Sequence, residues 1–149
     1  MMKYYLAYGS NLSVEQMEWR CPTASTVGYA ILKDYRLLFR SGFLTIEPKT
    51  GSEVPVLVWQ VGQSDEAALD RYEGWPRFYR RETMKAEVLD LSSRKPIETT
   101  DAFVYVMNDG FELRLPSEQY WNVCLEGYQR FGFDTAILEQ ALRDSVAEN

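Results

Sequence analysis

Histidine is missing altogether from these 149 residues. Its absence removes Ser-His-Asp and Cys-His catalysis, and with them every histidine-ligated metal site. Any proton transfer must then fall to Asp, Glu, Lys, Tyr or Cys. Cysteine is nearly as scarce: Cys21 and Cys124 stand alone, without metal-ligand or redox spacing. No run approaches the roughly 18 apolar residues that cross a bilayer, and the N-terminus lacks a basic-then-apolar leader pattern. Sixteen Lys and Arg are scattered against a net charge of −6, which argues against a nucleic-acid surface. The expectation is a cytoplasmic, reduced protein with neither membrane nor nucleic acid as partner. What is present, 46% hydrophobic residues, suffices for one substantial core, so residues 1–149 are expected to form a single domain.

Residues 2–8 are apolar and aromatic, as in a buried first strand. Ser13 and Gln16 fit a capping box, with Leu12 and Met17 at the staple positions, for a helix ending near Cys21-Pro22. Residues 25–61 read as strands with a turn at Gly51-Ser52, and 54–61 is apolar enough to be covered on both faces. A helix follows, with Ser64 as N-cap and 65–73 as its body; Gly74 and Pro76 stop it. Strands at 79–91 and 101–107 flank a polar loop at 92–100, and 108–116 is a connecting loop. Ser117 caps a helix whose Tyr120, Cys124, Gly127, Tyr128 and Phe131 share a face, and Gly132 ends it. Asp134 caps a last helix, 134–149, that buries Ile137, Leu138, Ala141 and Leu142. The fold class is α+β: a small mixed sheet, curved or barrel-like, flanked by helices.

Capping already accounts for Ser13, Gln16 and the staple. Tyr8-Gly9-Ser10-Asn11 is then surplus between a buried strand and a helix. Glycine lets another molecule approach the backbone, and amides beside a helix start favour negative charge. Such a loop suits a carboxylate or an oxygen on which charge develops. The competing reading is a tight turn in which Ser10 and Asn11 bond their own backbone.

The second informative stretch is Leu69–Arg81. Glu73 falls at the C-terminal end of a helix, near Tyr72, Trp75 and Phe78. Carbonyl dipoles and aromatic desolvation there both disfavour a carboxylate, which raises its pKa toward that of a general base. The plain alternative is an exposed Glu73, or one paired with Arg71 or Arg77. Asp70 is expected to hydrogen-bond the following loop, and Asp65 and Glu66 to sit in a helix's first turn with no catalytic part. Trp59, Trp75 and Trp121 read as core, Tyr5 as strand packing, and Tyr79 and Tyr105 as strand residues of undetermined facing.

Tyr8-Gly9-Ser10-Asn11-Leu12 and Leu69-Asp70-Arg71-Tyr72-Glu73-Gly74 together resemble the two motifs of the γ-glutamyl cyclotransferase family, and 116–133 resembles its late helix. The likeness spans residue 3 to about 133; residues 134–149 match nothing in it. It implies a barrel-like fold and a reaction in which a γ-glutamyl substrate's α-amino group attacks its own γ-carbonyl, releasing 5-oxoproline and an amine or amino acid. It implies Glu73 as general acid and base, with Tyr8, Gly9, Ser10, Asn11, Leu12 and Tyr120 around the small-molecule substrate. No metal and no organic cofactor is implied. Without the resemblance, Tyr120 reads as core. The other function class is a sensor or assembly domain that binds such a ligand without turnover. The identity of the leaving amine is unread, and the assembly is open between monomer and homodimer.

Overall fold

The computed structural model describes residues 2–146. Strand β1, Lys3–Ala7, is the middle of the architecture. It runs antiparallel to β3, Phe43–Val61, with Leu6 opposite Val58, and parallel to β5, Pro96–Met107, with Leu6 opposite Val104. Flanked on both edges and covered on both faces, Tyr5, Leu6 and Ala7 are buried, which explains the unbroken apolar run. Strand β2, Ser25–Arg40, pairs along most of β3, and β4, Tyr79–Leu89, along β5. A β2–β4 pairing at Tyr29 and Leu89 closes a barrel of order β1-β3-β2-β4-β5.

Among the described residues, four α-helices and a single turn of 3₁₀ helix surround the barrel. The turn, Ser10–Leu12, leads into α1, Val14–Arg20; α2, Gln63–Tyr72, joins β3 to β4. Helices α3, Glu118–Phe131, and α4, Thr135–Asp144, close the chain. Ser13, Ser117 and Asp134 each accept a backbone N–H at their helix start, and Gly132 adopts φ 71° at the end of α3. Leu12 and Met17 are buried, as staple residues should be. A Cβ on Gly127 would lie 2.5 Å from the Cβ of Leu12, so only glycine lets α3 press against the turn after β1. No helix among the described residues is long and apolar enough to cross a membrane.

Several expectations are corrected. Gly51-Ser52 lies inside β3, where the register slips and the Gly51 N–H donates to Asp34; the hairpin turns instead at Ser41-Gly42, both with positive φ. The second helix starts at Gln63 with Gly62, not Ser64, as N-cap, because the Asp65 carboxylate reaches back to the Gly62 amide. The loop at 92–100 is shorter than its polarity suggested: β5 begins at Pro96 on the exposed part of the hairpin. Gln16 does not reach back to its cap but accepts from Arg20. Trp75 is 46% exposed rather than core, while Trp59 is buried and donates to the Asn11 carbonyl. Leu138 and Ala141 are buried on α4, with Ile137 and Leu142 only partly so. That helix stops at Asp144, and 147–149 lie outside the described residues.

Candidate active site

The turn after β1 is held by side chains as well as by its own backbone, where the Leu12 and Ser13 amides donate to the Gly9 and Ser10 carbonyls. Ser10 Oγ and the Tyr72 hydroxyl are 2.9 Å apart, and Asn11 Nδ2 donates to the Tyr5 hydroxyl at 2.9 Å. Arg20 donates to Asn11 Oδ1, which fixes the amide's orientation and aims Nδ2 at Tyr5. The same guanidinium lies 3.4 Å from the centre of the Tyr72 ring, a cation–π contact that ties α1 to the end of α2. The reading in which Ser10 and Asn11 side chains serve their own backbone is therefore overturned. Their amides donate to no acceptor among the described residues, as expected at the start of a helical turn.

Glu73 is the C-cap of α2, and Gly74 follows with φ 64°. Its carboxylate forms no ion pair with Arg71 or Arg77 and accepts no hydrogen bond among the described residues. Burial pushes its pKa up from 4.5 to about 7, against a smaller opposing pull from the Arg20 charge. Asp70, one turn earlier, contrasts with it. Its carboxylate accepts from the Tyr105 hydroxyl at 2.6 Å and from Arg81 at 3.3 Å, so it fixes the barrel wall rather than the following loop.

Glu73 faces the turn across one cavity. Tyr5, Leu6, Tyr8, Gly9, Ser10, Asn11, Leu44, Tyr79, Tyr105 and Tyr120 complete its wall around a narrow space of about 30 Å³. Tyr8 donates to the Tyr105 carbonyl at 2.6 Å and Tyr79 to the Leu44 carbonyl at 2.7 Å. The Tyr120 hydroxyl accepts from the Leu44 amide at 3.1 Å. A Cβ at Gly9 would sit 3.1 Å from that hydroxyl, so glycine permits the turn's approach to α3. Desolvation raises the pKa values of Tyr5, Tyr8, Tyr79 and Tyr120 and keeps these phenols protonated. Glu73 is the carboxylate of this wall, and it can both take and give a proton near neutral pH.

Of the residues expected at the site, the structure brings together Glu73, Tyr8, Gly9, Ser10, Asn11 and Tyr120. Leu12 is not among them: it is fully buried against Gly127 and anchors the turn. Tyr5, assigned to packing, lines the cavity as well as packing on Phe103. Leu6, Leu44, Tyr79 and Tyr105 carried no readable signal, because strands buried on both faces show no alternation to mark a cavity side.

The model of the family described as "Gamma-glutamyl cyclotransferase, AIG2-like" matches residues 5–123. A γ-glutamylcyclotransferase of Mus musculus is 31% identical over 147 residues, which covers 91% of this chain and 75% of that protein. One of Bos taurus is 36% identical over 81 residues, covering 47% of this chain and 43% of its own. A solved structure titled "Gamma-glutamyl cyclotransferase" superposes with a TM-score of 0.80 at 25% identity, covering all of this chain and 90% of that one. With the matched span running from β1 through both motifs into α3, this chain belongs to the γ-glutamyl cyclotransferase, AIG2-like family.

Proposed function

We propose that this protein converts a γ-glutamyl substrate into 5-oxoproline and a free amine or amino acid by intramolecular acyl transfer, without a cofactor. The observation that carries the reading is the Glu73 carboxylate, without a hydrogen-bond or ion-pair partner among the described residues, facing the turn at Gly9–Asn11 across a shared cavity. With a pKa near 7, Glu73 takes a proton from the substrate's α-ammonium, and the freed amine attacks the γ-carbonyl carbon. As the bond to the leaving nitrogen breaks, Glu73 returns a proton to that nitrogen. The second proton lost by the ring nitrogen is balanced when the released amine ionises.

Negative charge that develops on the γ-oxygen meets the Ser10 and Asn11 amides, which have no other acceptor among the described residues. One such donor is worth about 3 kcal/mol in comparable reactions. The Tyr5 hydroxyl accepts from Asn11 and keeps its own proton for a further contact. Ring closure gains from holding the chain folded back, and the tyrosine wall with Tyr120 supplies that shape.

The test is incubation with a panel of γ-glutamyl amines and amino acids, with 5-oxoproline as the readout. Glu73→Gln is expected to lower kcat at least about a hundredfold while ligand binding persists. Binding to the parent protein without any product would overturn the enzyme reading in favour of a sensor. In the parent, the acid limb of kcat/KM is expected near pH 7, not near 4.5, because the base must be ionised in the free enzyme.

A further inference from the structure

The wall of the Glu73 cavity has one weak side. Every lining residue is buried except Glu73 and Tyr120, which keep partial exposure, so the cavity opens between these two. A continuous line of contacts joins them along one edge. The Tyr120 ring meets Phe43 edge-on at 5.2 Å, and Phe43 meets Phe78 at 5.9 Å. The Phe78 N–H donates to the Gly74 carbonyl at 2.8 Å, and Gly74 adjoins Glu73. Phe111, 4.8 Å from Phe78, backs that ring from behind. Phe43 follows the tight Ser41-Gly42 turn and stays 44% exposed while its ring packs on Tyr120.

Glu73 has to reach both nitrogens of the substrate, so the scissile bond lies beside it. The rest of the leaving group then projects along the open edge, since the remaining wall is closed. Between its ends that edge is formed by the Phe43 and Phe78 rings, and a carboxylate or second ammonium laid against them would lose hydration. An aromatic group would instead lie against Phe43 and Phe78 in edge-to-face geometry.

We infer that the amine released by this site is aromatic, held by Phe43 and Phe78 at the mouth between Glu73 and Tyr120. This inference rests on the cyclisation reading above and names the substrate class for it.

The experiment compares kcat/KM for the γ-glutamyl derivatives of 2-phenylethylamine, methylamine, putrescine and glycine, with 5-oxoproline as the common product. The phenylethyl compound is expected to lead the methyl compound by on the order of tenfold or more, with the cationic and anionic compounds behind it. Phe43→Ala narrows that lead and Phe43→Leu keeps most of it, with thermal melts confirming that both variants fold. Equal or better turnover of the methyl or charged compounds overturns the inference, as does a ratio that Phe43→Ala leaves unmoved. A preference for glycine in particular would point to the neighbouring Arg77 instead. Turnover of none of the four by the parent overturns the cyclisation reading itself, an outcome distinct from turnover without aromatic preference.

Discussion

Helix α2 carries an acidic side chain near each end, and the two have opposite surroundings. Near the N-terminus, Asp65 is 1% exposed, and its carboxylate accepts from the Gly62 amide at 3.0 Å and from the Thr23 amide and hydroxyl. Backbone amides and the helix dipole both favour charge there. At the C-terminus, Glu73 has no donor among the described residues, and burial pushes its pKa to about 7. One helix thus holds a satisfied carboxylate that anchors the chain and an unsatisfied one that is ready to exchange a proton. The difference lies in position and partners, not in residue chemistry, and a reactive carboxylate costs stability in its charged form.

Removing the satisfied member should have the largest effect on stability. Asp65→Ala leaves the Gly62 amide and the Thr23 hydroxyl without their acceptor inside the fold, and a loss of about 4 kcal/mol is expected in denaturant unfolding. Activity per folded molecule should stay close to the parent's, because Asp65 does not line the cavity.

Removing the unsatisfied member should work in the opposite direction. Glu73 has a folded pKa above its unfolded value, so the folded state holds the extra proton between about pH 4.5 and 7. The parent therefore loses stability as pH rises through that window, by at most about 3 kcal/mol. Glu73→Gln should unfold at higher denaturant than the parent at pH 8 and at nearly the same concentration at pH 4. Equal midpoints at both pH values would refute the burial of a titrating carboxylate.

The smallest effect tests the link between the helix end and the turn. Tyr72→Phe keeps the ring under Arg20 but removes the hydroxyl contact to Ser10. Less than about 1 kcal/mol of stability should be lost, since the side chain is 44% exposed. A change in KM larger than the change in kcat would place this contact at substrate entry.

Local chemistry made much of the outline readable. Ser13, Ser117 and Asp134 marked their helix starts, and Gly74 and Gly132 marked two helix ends, because caps and left-handed terminators act over one turn. Glu73 stood out at a helix end where a carboxylate is disfavoured. The start of α2 was a local miss, in which Asp65 reaches back three positions to the Gly62 amide. Other errors fell where a partner outside the local window decides: the exposed hairpin extended β5 back to Pro96 through pairing with β4. Leu12 sat inside a motif that reads as one ligand-binding unit, yet its side chain fills the space left by Gly127, 115 positions on in the chain.

The amino-acid order by itself determined the caps, the glycine turns, the absence of imidazole chemistry and an acid at the end of α2, because each depends on residues within a few positions. Tertiary structure alone decided how far burial raises the Glu73 pKa, that Tyr5, Tyr79 and Tyr105 face one cavity, and that Phe43 packs edge-on against Tyr120. The physical reason is that desolvation and facing come from strands closing into a barrel, and no short window of sequence contains that closure.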